Sequence, residues 1–137
     1  MVARRQWTRQ WWDNMQNYGC VTSVAVVDEL GRGDYPNKDA VLKLVSSLPL
    51  VPVEPAITDI VRAYIQHKVM PQDPVGDALH LALASYHKCD FLLTWNCQNL
   101  ANANKFGHIR RVNVMLGLYV PQLVTPLELL GGQNESE

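Results

Sequence analysis

The stretch that decides the fold runs from Gly76 to Asn96 and reads GDALHLALASYHKCDFLLTWN. One carboxylate, Asp77, opens an otherwise apolar helical segment, and a short apolar run from Phe91 to Thr94 is followed by a polar residue, Asn96. This pattern predicts a helix that leads into a buried strand, with oxygen-bearing side chains at the start of the helix and the end of the strand. In open α/β sheets, ligands bind outside the carboxyl ends of the strands. A carboxylate that enters a core helix needs a partner, and a metal ion is one such partner.

Length and composition indicate one globular domain. The chain has 137 residues, of which 47% are hydrophobic and 18% charged, and its net charge is −1. We assign the domain to residues 3–132 and expect residues 133–137 to be a disordered, acidic tail. The small net charge means that any basic surface for nucleic acid must be local. Three cysteines without a CxxC pair, no signal peptide and no apolar run of membrane-spanning length predict a cytoplasmic protein.

Helical and strand patterns alternate along the chain. The hydrophobic spacing predicts helices at 3–17, 38–48, 55–68 and 99–116 and a further helix that begins at Asp77. It predicts strands at 50–53, 91–94 and 120–124. Residues 20–30 are ambiguous, because their valines favour a strand while Ser23 can cap a short helix from Val24 to Leu30. The sequence TPLE at 125–128 has the form of a capping box. This alternation predicts a parallel sheet covered by helices on both faces.

Four segments together resemble the PIN-domain family, the nuclease fold of the VapC toxins; they are SVAVVDELGRGD (23–34), DALHLA (77–82), LLTWN (92–96) and PQLVTPLELL (121–130). The resemblance extends over residues 3–132. It implies a three-layer α/β fold with a central parallel sheet flanked by helices. It also implies a cluster of acidic residues around Mg²⁺ or Mn²⁺ at the carboxyl edge of the sheet, where RNA phosphodiesters are cut by metal-activated water.

The resemblance assigns site residues to positions of this chain. The second acid of the family falls on Glu29, the third on Asp77, and the fourth position is Asn96, which offers a neutral oxygen. Thr94 either orients a water molecule in the site or caps the next turn. Basic side chains that follow Asn96 either hold RNA phosphates or form a solvated helix face, and they are Lys105, Arg110 and Arg111.

The first acid of the family has no counterpart, because it ends an opening strand that would precede the N-terminal helix. We therefore expect an N-terminally truncated PIN-like domain that lacks its usual first strand. The family places that strand between the strand at Ser23 and the strand at Phe91. Its loss leaves two unpaired apolar strand edges, which favour a homodimer or other self-association.

Two functions follow from these residues. The first is a metal-dependent endoribonuclease of the PIN/VapC toxin type, impaired in this truncated form, with RNA as substrate and a small antitoxin protein as a possible partner. The alternative is a catalytically inactive PIN remnant that binds RNA or an antitoxin without cleavage. His80 and His87 lie seven residues apart on one helix face, and His80 is three residues after Asp77. They form either a transition-metal pair or, as the commoner case, histidines that are hydrogen-bonded in the core or that support a metal ligand.

Overall fold

The computed structural model describes residues 2–13, 18–69, 76–94, 100–126 and 128. Within these ranges the fold is α/β, as the sequence predicts. The helices are α1 (Val2–Asp13), α2 (Val24–Arg32), α3 (Lys38–Ser46), α4 (Pro55–Gln66), α5 (Asp77–Tyr86) and α6 (Ala103–Met115). The strands are β1 (Thr22–Ser23), β2 (Leu50–Val51), β3 (Phe91–Leu93) and β4 (Gln122–Val124).

The ambiguous segment at residues 20–30 forms a short strand followed by a helix. Ser23 is the last residue of β1 and the N-cap of α2, and its Oγ accepts a hydrogen bond of 3.3 Å from the amide of Val26. The capping contact outweighs the strand preference of the valines, because it satisfies an amide that the first turn of a helix leaves unpaired.

The capping box at the C-terminal end of the described chain is also confirmed. The amide of Thr125 donates to the Glu128 carboxylate at 3.0 Å, and the amide of Glu128 donates to Thr125 Oγ1 at 3.3 Å. These reciprocal bonds fix the chain direction directly after β4.

The strands are shorter than predicted, and their arrangement differs from a single central sheet. Within the described residues they form two separate two-stranded parallel sheets, β1 with β2 and β3 with β4. The sequence pattern identifies which segments are extended, but the pairing depends on which strands meet in space.

The core lies among α4, α5 and α6. Its largest members include Ile57 and Tyr64 of α4, Leu81 of α5 and Ile109 of α6, all at most 1% exposed. Helix α5 is buried along almost its whole length, as its apolar sequence predicts. This burial fixes the position of α5, whose first residue is Asp77.

Several predictions concern residues outside the described ranges. They are the site assignment of Asn96, the end of the N-terminal helix at 14–17 and the disordered tail at 133–137. In the part of the chain that the structure describes, no helix combines the length and the apolar character needed to cross a membrane.

Candidate functional site

A hydrogen bond between α2 and α5 forms the centre of the candidate site. His80 Nε2 lies 2.8 Å from Glu29 Oε2, although the two residues are 51 positions apart. A carboxylate can only accept, so the imidazole donates its Nε2 proton. The His80 side chain is largely buried, with 16% exposed, whereas Glu29 is half-exposed at 48%.

The Glu29 carboxylate also lies against the N-terminus of α5. A β-carbon built on Gly76, the N-cap of this helix, would be 3.8 Å from Glu29 Oε1. Asp77 is the next residue and the first of the helix. The structure therefore brings Glu29 to the helix turn that Asp77 opens.

Charge favours carboxylates at this position. The N-terminus of a helix carries partial positive charge from its unpaired amides, which stabilises nearby anions. The start of α5 is thus a position that stabilises the Glu29 carboxylate.

Thr94 follows the last residue of β3. Its amide donates to the carbonyl oxygen of Val124 at 2.9 Å and so extends the pairing of β3 with β4 by one hydrogen bond. The backbone of Thr94 is thereby fixed at the carboxyl end of β3, where the sequence places it. Asn96, two residues further on, lies outside the described residues.

The three predicted RNA-binding cations lie on α6 but on different sides of it. Lys105 is in the first turn and half-buried, while Arg110 and Arg111 are exposed in the second half. At 100° per residue, Arg110 and Arg111 are rotated by about 140° and 240° from Lys105, and they lie about 8 Å further along the axis. Because α6 connects two parallel strands, its N-terminal end lies towards their carboxyl ends. Lys105 is therefore the cation nearest to that edge.

The metal-ligand set is small. Among the described residues, no group of three or more His, Cys, Asp or Glu side chains is arranged to hold a metal ion. Mg²⁺ commonly takes one or two protein carboxylates and keeps several waters, so Glu29 and Asp77 are side chains of the type that Mg²⁺ or Mn²⁺ binds. They do not supply enough ligands for a pair of metal ions.

The other histidine of α5 is structural. His87 Nε2 donates to the carbonyl oxygen of Pro52 at 2.7 Å, whereas His80 donates to Glu29. The two imidazoles thus have different acceptors, which supports structural roles and not a transition-metal pair.

Sequence reasoning did not identify the contact between His80 and Glu29. The spacing of three residues between Asp77 and His80 places both on one face of α5 and was the available signal. The partner on α2 could not be inferred, because it depends on how two distant helices meet.

Comparison of the chain with models of protein families, with curated proteins and with solved structures finds no match.

Proposed function

We propose that the protein is a metal-dependent endoribonuclease of the PIN/VapC type, with Glu29 and Asp77 as its metal-holding carboxylates. The proposal combines the resemblance of the sequence motifs with one structural observation. That observation is the position of the Glu29 carboxylate, 3.8 Å from a β-carbon built on the residue that precedes Asp77.

Further support comes from the orientation of the two sheets. The ring of Tyr18, four residues before β1, lies 6.3 Å from the ring of Phe91, the first residue of β3. Glu29, six residues after β1, contacts the helix that precedes β3. One contact lies before the two strands and the other lies after β1. Together they support a common direction for β1 and β3, with Glu29 beyond the carboxyl end of β1 and Thr94 beyond that of β3. A three-layer PIN-like architecture agrees with this orientation.

Each residue has a defined task in the proposed reaction. Glu29 and Asp77 would hold a single Mg²⁺ or Mn²⁺, the resemblance adds Asn96 as a further oxygen ligand, and Thr94 would orient a water in the site. When bound, such an ion neutralises phosphate charge and lowers the pKa of water for attack on phosphorus. Lys105 holds an RNA phosphate near this edge, and Arg110 and Arg111 contribute charge at a greater distance.

Paired measurements on the full chain test the proposal. Titration with Mn²⁺ by calorimetry should show one weak site, and a labelled single-stranded RNA should be cleaved only when Mg²⁺ or Mn²⁺ is present. Asp77→Asn should abolish cleavage and weaken Mn²⁺ binding, because it removes one of two carboxylates. The matched control is Asp28→Asn, which removes an equal charge from an exposed position next to Glu29. Equal cleavage by the Asp77 variant and the unmodified chain would refute the proposed site.

The small ligand set supports the second candidate, a remnant that binds RNA or an antitoxin protein without cutting. The described residues contain no group of three or more metal-ligating side chains, and one oxygen of Glu29 is already bonded to His80. This function predicts that RNA raises the fluorescence anisotropy of a labelled probe while no product forms at any Mn²⁺ concentration. Metal-dependent product formation that is lost in Asp77→Asn would decide for the nuclease.

A further inference from the structure

We propose that His80 is a positioning residue that holds the Glu29 carboxylate at the N-terminus of α5, with Oε2 bound and Oε1 left for the metal ion. The inference rests on the proposed function, since it assigns a role in the same site. His80 itself touches neither metal nor RNA in this arrangement. It acts through Glu29.

The first argument is the difference in burial between the two partners. The His80 imidazole is largely enclosed on α5, whose neighbouring residues Leu81 and Ala82 are fully buried. Glu29 projects from α2, a helix without fully buried residues, and its side chain is 48% exposed. The donor is thus the rigid partner and the carboxylate the mobile one. A half-exposed glutamate otherwise samples several rotamers, and fixing it costs conformational entropy that the hydrogen bond offsets.

The second argument is that the bond uses one carboxylate oxygen. His80 Nε2 is 2.8 Å from Oε2, while Oε1 is the oxygen that lies near Gly76. Oε1 is therefore the oxygen beside the start of the helix that Asp77 opens. Side chains that orient metal ligands in this way typically change metal affinity or activity by about 10- to 100-fold when they are removed.

The third argument is the helical spacing. Asp77 and His80 are three residues apart on α5, so they lie on the same face, one turn from each other. One face of α5 therefore carries both Asp77, a proposed metal-holding carboxylate, and His80, which holds Glu29, the second proposed carboxylate. Through His80, α5 thus helps to fix the position of Glu29 relative to Asp77.

The test uses Mn²⁺ affinity of the full chain, measured by calorimetry. His80→Leu keeps an apolar side chain of similar size but removes the donor, and should raise the Mn²⁺ dissociation constant by about 10- to 100-fold. His80→Gln places an amide N–H near the position of Nε2 and should recover most of the affinity. The matched control is His87→Leu, which removes a histidine hydrogen bond at the other end of α5 and should leave the affinity unchanged.

A double-mutant cycle shows whether His80 acts through Glu29. In a Glu29→Gln chain, His80→Leu should cause no further loss of Mn²⁺ affinity. The same cycle measured by urea unfolding without metal should show coupling between the two side chains. Additive losses in Mn²⁺ affinity, or a His80→Gln chain as weak as His80→Leu, would overturn the positioning role.

The outcomes also separate this inference from the proposed function. If Glu29→Gln and Asp77→Asn weaken Mn²⁺ binding but His80→Leu does not, the metal site stands and the role of His80 is refuted. If the unmodified chain binds no Mn²⁺ while the unfolding cycle shows coupling, the contact is structural, and both the metal site and the positioning role are refuted.

Discussion

Tyr64 is the centre of a polar group buried among α4, α5 and α6. Its hydroxyl donates to Asn113 Oδ1 at 2.6 Å and lies 3.3 Å from Ser85 Oγ. The Asn113 amide donates to Ser85 Oγ at 2.9 Å and to the carbonyl oxygen of Tyr119 at 3.0 Å. These bonds satisfy polar atoms that would otherwise be costly in an apolar core. They also tie three helices to the segment before β4.

The buried phenol predicts a loss of stability at alkaline pH. Burial raises the pKa of Tyr64 to about 12 from an ordinary value of 10.0, against the smaller opposite effects of its bonds to Ser85 and Asn113. The folded chain therefore holds this proton more tightly than the unfolded chain. The resulting stability, on the order of 3 kcal/mol, is complete below pH 10 and is lost as pH rises from 10 through 12.

Urea unfolding between pH 8 and pH 12 measures this effect. Tyr64→Phe should lower the free energy of unfolding at pH 8 by about 1 to 3 kcal/mol, because Asn113 Oδ1 loses its donor. The same variant should flatten the decline above pH 10. Tyr35→Phe removes the phenol that donates to the Leu30 carbonyl and should keep the full alkaline decline. An equally steep decline in the Tyr64 variant would contradict the assignment.

Among the elements, sequence patterns predicted the helices well and the strands less well. Helix α4 carries a regular apolar stripe, and its predicted range of 55–68 differs from the observed Pro55–Gln66 by two residues at one end. Strands β1 and β2 have only two residues each, too few for an alternating pattern to define. Local spacing is enough for a helix, whereas strand length depends on the partner strand.

Ser23 decides the structure of the segment that carries Glu29. Replacement by alanine should destabilise the chain by about 1 kcal/mol, because the amide of Val26 loses its acceptor. Since α2 then frays at its start, Mn²⁺ affinity should fall as well. Ser46→Ala, at the exposed end of α3, serves as the control and should change neither quantity. A Ser23 variant with unchanged unfolding would show that the cap contributes nothing.

Helix α6 allows a graded test of RNA contacts. If Lys105 holds an RNA phosphate as proposed, Lys105→Gln should reduce RNA affinity and lower the slope of its salt dependence by about one, because that contact is lost. Arg111→Gln removes the same charge about 9 Å further along the helix and should have the smaller effect. Fluorescence anisotropy over a range of salt concentrations measures both. A larger effect at Arg111 would place the RNA along the exposed second half of α6.

At the scale of the whole molecule, the sequence assigned the members of the candidate site but not the side chains that contact them. Glu29 and Asp77 were assigned from motifs, and the structure brings Glu29 to the start of the helix that Asp77 opens. His80 as the donor to Glu29, and Asn113 as a buried partner of Tyr64, were not predicted. Both depend on contacts between helices that are far apart in sequence, which local patterns do not contain.

The two separate sheets leave β1 and β3 each with a single partner strand among the described residues. A parallel pair of two or three residues has little stability by itself, and an unpaired strand edge is a template for another chain. Apolar residues beside these edges are exposed, with Val21 before β1 at 44% and Phe91 of β3 at 38%. We therefore expect concentration-dependent self-association of the chain through these edges.

Sedimentation velocity tests this expectation when the protein concentration is varied about a hundredfold in the micromolar range. Val21→Lys should shift the chain towards monomer, because a lysine beside an open strand disfavours pairing with a second edge. Val114→Lys is the matched control, since Val114 is 63% exposed on α6 and away from the strands. If Val114→Lys dissociates the oligomer and Val21→Lys does not, association proceeds through the helical surface. A folded monomer at every concentration would show that β1 and β3 need no further partner, and that the helices alone hold the two sheets in place.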